Sequence, residues 1–169
     1  MAGYFRTAKD VLFAPRDFYV SVKNSNRGFR FPLIFLVFCV IIHTFFVALT
    51  LRNATVITLS LFNALVMPFA TAALLLLVLT RVFKASGTYE QSFMVVAYSA
   101  ATALVSWIPL AGFVVECYRI YIMAIGLRYV FSVKMSHAVL AIAMVIVTYV
   151  IAFSLLGHFI GPRMGQGLV

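Results

Sequence analysis

The chain has 169 residues, of which 64% are hydrophobic and 10% charged, whereas a soluble domain runs near half apolar and a quarter charged. A water-soluble globule is therefore excluded, and the length leaves no room for a separate catalytic domain beside a membrane bundle. Lys and Arg number 13 against 4 Asp and Glu, a net charge of +9; in so apolar a chain this points to anionic lipid headgroups as partners and not to nucleic acid.

Residues 1–30 read as a cytoplasmic, basic, amphipathic segment. Tyr4, Phe5, Ala8, Val11 and Leu12 share one helical face, with Arg6, Lys9 and Asp10 on the other. Pro15 cannot continue that helix, and Ala14 before it is biased away from helical geometry. A second short helix begins there, with Asp17 in its first turn and Phe18, Tyr19 and Val22 on one face. Such a pair lies flat on the inner leaflet or closes the inner end of a bundle as a lid. Phe13, Pro15, Arg16, Phe18 and Tyr19 are its candidate residues for docking a protein partner or lipid headgroups. The segment lacks an apolar core and a small-residue cleavage site, so a secretory signal is not expected.

A bilayer core of about 30 Å takes about 20 apolar residues at helical rise. Stretches of that kind lie at 31–51, 55–80, 92–108, 111–131 and 137–160. Since lipid offers no partner for free backbone groups, all five are expected to be helices. The predicted fold class is all-α, a polytopic bundle of five transmembrane helices over 31–160 preceded by short interfacial helices. Pro68 kinks the second span, and Pro109-Leu110-Ala111-Gly112 makes a tight turn between the third and fourth. Residues 161–169 form a flexible outer tail. With the N-terminus inside, nearly all Lys and Arg in the short flanks fall inside, leaving Arg52 and Arg163 outside. Reading 92–115 as one helix of a four-span protein moves Arg119, Arg128 and Lys134 outside and weakens that asymmetry.

Ionisable residues within spans point to function by default. Glu116 and Arg119, three residues apart in span four, can pair on one helical face. They form an intramembrane polar pair expected to point into the bundle, either as a structural pair or lining a polar cavity. Gly112 and Gly126 permit close helix approach on the same helix. Cys39, Cys117, His43 and His158 have no companions at metal-ligand spacing and read as packing residues, so neither a metal nor a cofactor is expected. Asn63, Thr102 and Ser106 suit interhelical hydrogen bonds. Asn53-Ala54-Thr55 matches a glycosylation sequon, read as a chance match so close to the membrane.

Val11-Leu12-Phe13-Ala14-Pro15-Arg16-Asp17-Phe18-Tyr19, just ahead of a multi-span bundle, resembles the N-terminal signature of the Yip family, the five-span Ypt/Rab-interacting membrane proteins and their bacterial and archaeal relatives. Ala97-Tyr98-Ser99 resembles the small-residue-and-tyrosine motif of its span three, which makes Tyr98 a candidate packing residue. Residues 118–128, from Tyr118 to Gly126-Leu127-Arg128, resemble its span four, and Lys134-Met135-Ser136-His137-Ala138 its short basic loop before span five. The brief N-terminal segment is similar to that of short prokaryotic members, for which the cell membrane is the expected location. The resemblance implies a membrane-organising or adaptor protein with no established chemistry.

Three function classes follow. An intramembrane enzyme is not expected: there is no His-Glu-x-x-His, no Gly-x-Ser-x-Gly and no aspartate after Asp17. A small channel, transporter or lipid scramblase would use Glu116 and Arg119 as a polar step. A scaffold or adaptor recruiting partners through its cytoplasmic face accounts best for the basic N-terminus, the poverty of chemistry and the resemblance together. Self-association through span faces is open to it.

Overall fold

The computed structural model describes residues 2–24, 28–51, 53–105 and 112–165, and all their secondary structure is helical. The helices are α1 (Ala2–Phe13), α2 (Pro15–Asn24), α3 (Arg30–Leu51), α4 (Ala54–Arg81), α5 (Tyr89–Ser99), α6 (Gly112–Val130) and α7 (Met135–Gly165), with a 3-10 segment, Ala100–Leu104, continuing α5. Local chemistry accounts for several boundaries. The Asn53 side chain accepts from the Thr55 and Val56 amides and so caps α4, a sufficient role for the first residue of the apparent sequon. Thr88 and Gln91 form a reciprocal capping box at the start of α5. Pro15 divides α1 from α2 where the sequence places the break.

Among the described residues, α3, α4 and α7 are each long and apolar enough to cross a membrane. The expected spans 92–108 and 111–131 are built otherwise. The first is an 11-residue α-helix extended by a 3-10 segment of five. The second, α6, has 19 residues and carries Glu116, Arg119 and Arg128. The tight turn expected at Pro109–Gly112 lies almost wholly outside the described residues. Of the expected flexible tail at 161–169, the first five residues are helical, because α7 continues through Pro162 to Gly165, and 166–169 lie outside the described residues.

Helix α5 is the axis of the bundle. Ser92 through Thr102 are all buried, enclosed by α3, α4 and α6. A helix buried on every side needs no polar face, which is why this stretch reads as a continuous apolar run. Its few hydroxyls serve as ties: Ser92 Oγ donates to the Ala72 carbonyl at 2.8 Å and Tyr89 to the Phe69 carbonyl at 3.2 Å, fixing α5 to α4. A second polar tie joins α4 to α7, where the Thr71 and Tyr149 hydroxyls lie 3.0 Å apart.

The turns at one end of the bundle interlock through aromatic rings. Phe83 stacks on His137 and Phe29 packs on Phe93. Gly87 meets the Phe131 ring so closely that a Cβ there would lie 2.2 Å from it. Arg30, Arg81, Lys84, Arg128 and Lys134 are exposed at this end, which is the basic end of the molecule.

Candidate functional site

Two regions bring the predicted residues together. The first is a hairpin strap of α1 and α2, which begins and ends at the basic end (Tyr4 against Phe31, Lys23 against Ser132) and turns at the level of Tyr118, beside the 3-10 segment. Helix α1 crosses α3, where Tyr4 packs on Phe31 and Phe38, and reaches α6, where the Tyr118 hydroxyl donates to the Leu12 carbonyl. Helix α2 then runs along α6 in the same direction, with Tyr19 against Gly126 and Lys23 Nζ donating to Ser132 Oγ at 2.7 Å. The reading of these helices as flat on a leaflet is thereby corrected: most of their apolar face is spent on the bundle itself, with Phe5 left exposed. Val11, Tyr19 and Val22 are fully or almost fully buried, and Phe18 packs edge-on against Tyr98 with ring centroids 4.8 Å apart.

This divides the five candidate docking residues. Pro15, Phe18 and Tyr19 are buried and hold the strap in place, so they present no docking surface. Phe13, 82% exposed, and Arg16 remain on the outside. The Tyr19 hydroxyl donates to the Val95 carbonyl at 3.3 Å. Burial, and secondarily the Tyr98 phenol beside it, pushes the Tyr19 phenol above its ordinary range, which keeps that donor proton in place. Gly126 makes the approach possible, since a Cβ there would lie 2.7 Å from Val95 Cγ1 and 2.8 Å from Tyr19 Cζ. Of the three candidate packing residues, Tyr98 is fully buried and Gly126 sits at a close contact, whereas Gly112 is exposed, with open space around the place a Cβ would occupy. The outer faces of α1 and α2 carry exposed Arg6, Lys9, Arg16 and Lys23. The Arg16 guanidinium lies 5.9 Å from the Tyr129 ring centroid, within cation–π range.

The second region lies toward the other end. Arg119 Nη1 and Glu116 Oε1 are 3.7 Å apart, so the i, i+3 pair forms. It is not sealed in the core as a structural pair would be: the Glu116 and Arg119 side chains are 63% and 35% exposed. They stand where two cavities meet. One, of about 270 Å³ between α3, α4, the 3-10 segment and α6, is lined by His43, Ser60, Asn63 and Thr102 as well as the pair. The other, of about 310 Å³ against α7, has apolar walls including Met67, Met123, Ile146 and Phe153.

Sequence reasoning treated His43 and Asn63 as isolated polar residues within apolar spans. The signal was present, but periodicity on each separate helix does not show which faces converge. Cys39 is buried and Cys117 exposed, both as free thiols, and among the described residues no group of three His, Cys, Asp or Glu could hold a metal.

A family model described as the Yip1 domain matches residues 9–156. Neither a curated protein nor a solved structure matches the chain.

Proposed function

This chain belongs to the Yip family as a multi-pass integral membrane protein, and on that premise we propose that it is a non-enzymatic adaptor whose basic end faces the cytoplasm and which recruits a protein partner through the strap packed along its bundle. The carrying observation is the strap itself. Most of its apolar face is spent in packing, yet Phe13 at its turn stays 82% exposed, and Arg16 reaches along α6 toward Tyr129. A large aromatic left in the open on a surface that also carries exposed arginine has the composition of an interface anchor. The exposed cations of α1, α2 and the turns favour the side that carries anionic headgroups, at about 1 kcal/mol for each near the surface. They also match the bias of Lys and Arg toward the cytoplasm.

Five crossings, N-terminus inside and C-terminus outside, form part of this reading. Helix α5 with its 3-10 extension reaches roughly 26 Å at about 1.5 and 2.0 Å per residue, close to the hydrocarbon thickness of about 30 Å. Its position inside the bundle relieves it of any need to match lipid. A passage for ions or solutes is less well supported. The polar cavity reaches inward only to Leu36 and Ala100, and beyond them Phe35, Phe93, Tyr98 and Leu127 are fully buried.

A photo-crosslinking amino acid at position 13, activated in native membranes, tests the adaptor reading. A discrete protein adduct that is lost with Arg16→Glu is the expected result. Lipid adducts alone, unchanged by Arg16→Glu, would contradict it.

A further inference from the structure

The two cavities that meet at Glu116 and Arg119 differ in character. One mixes hydrogen-bonding side chains, His43, Ser60, Asn63 and Thr102, with apolar walls. The other is an apolar slot bounded on α7 by residues from Ile142 to Phe153, a span of roughly 16 Å at about 1.5 Å per residue. Ile146 and Phe153 are exposed on its rim, so in a bilayer the slot opens to the lipid chains. Met67, Glu116 and Arg119 border both cavities. A chamber carrying several hydrogen-bonding groups, joined through an ion pair to a lipid-facing apolar slot, has the form of an amphiphile.

We propose that the joined cavities bind one glycerophospholipid with a zwitterionic, primary-ammonium headgroup of the phosphatidylethanolamine type. The headgroup occupies the chamber and an acyl chain follows α7. Charge complementarity selects this occupant. The guanidinium of Arg119 offers the planar donor fork that matches phosphate. The carboxylate of Glu116, on the same helical face, accepts from an ammonium. A paired acid and base present no net charge, so a ligand with no net charge fits better than an anionic one. His43, Asn63 and Thr102 add hydrogen-bonding groups around the phosphate and ester region.

The apolar slot supplies shape more than affinity, because a chain that leaves lipid for the slot exchanges one apolar environment for another. Discrimination therefore rests on the headgroup contacts, which a low dielectric strengthens.

Native mass spectrometry of the intact protein, titrated with phosphatidylethanolamine and phosphatidylglycerol of identical chains, tests the site. The wild type is expected to bind phosphatidylethanolamine about tenfold more tightly, the factor that one charge-assisted hydrogen bond supplies. Glu116→Gln should erase most of that preference, and Arg119→Ala should weaken both lipids. Ile146→Trp changes a side chain on the open rim and preserves the fold. By filling the slot it should weaken both lipids while leaving their ratio unchanged. Equal affinities in the wild type, a preference that survives Glu116→Gln, or binding untouched by Ile146→Trp would each overturn the proposal. Competition by chain-free phosphoethanolamine as effective as that by the whole lipid would overturn it as well, since the ligand would then be a soluble phosphate ester. None of these readouts depends on a protein partner at Phe13.

Discussion

Replacing Tyr19 with alanine will detach the strap from the bundle. The ring is fully buried between α5 and α6, and removing a buried aromatic costs about 3–5 kcal/mol through lost contacts and the cavity left behind. Tyr19→Phe keeps the ring and loses only the bond to the Val95 carbonyl, so it should cost about 1 kcal/mol. Unfolding in detergent reads the difference directly. Trypsin gives an independent measure, because Arg16 and Lys23 on α2 should resist cleavage in the wild type and in Tyr19→Phe and become cut in Tyr19→Ala. If the alanine variant stayed as stable and as resistant as the wild type, the strap would not be part of the folded bundle.

Gly126→Ala approaches the same contact from the opposite side. One added methyl at this position would lie 2.7 Å from Val95 and 2.8 Å from Tyr19, well inside van der Waals contact. Val95 is fully buried and Tyr19 is held at both its ring and its hydroxyl, so neither can retreat cheaply. Overpacking of this kind costs about 1–3 kcal/mol, although alanine is the better helix former. Gly112→Ala serves as the control. With open space around it, that substitution should be neutral or slightly stabilising. Equal effects at the two glycines would contradict the close packing of α2 on α6.

The elements most legible in the sequence were those set by local chemistry. Pro15 marks the α1–α2 break, and the apolar runs give α3, α4 and α7 within a few residues. Helix α5 is harder to read, because a helix buried on all sides shows neither an amphipathic period nor the full length of a lipid-facing span. The strap was legible as amphipathic but not in its placement. An apolar face covered by Gly126 and Val95 looks the same in sequence as one covered by lipid, and only the contacts show that Phe18 and Tyr19 are spent on the core while Phe13 is not. The Glu116–Arg119 pair followed from its spacing. Its setting did not, because the chamber takes His43 from α3, Asn63 from α4 and Thr102 from the 3-10 segment, and those three positions converge only in the folded bundle.

On the proposed reading, α5 and α6 complete two further crossings between the basic end and the opposite face. Membrane-impermeant maleimide labelling of single-cysteine variants, in a background with Cys39 and Cys117 replaced by alanine, tests it most directly. Gly3→Cys, Lys84→Cys and Ser132→Cys should label from the cytoplasmic side, and Asn53→Cys from the other. The decisive position is Gly112, at the start of α6, where a new side chain meets open space. Five crossings predict that Gly112→Cys labels from the same side as Asn53→Cys. Labelling of Gly112→Cys from the side of Lys84→Cys, or of Ser132→Cys from the side of Asn53→Cys, would contradict the account.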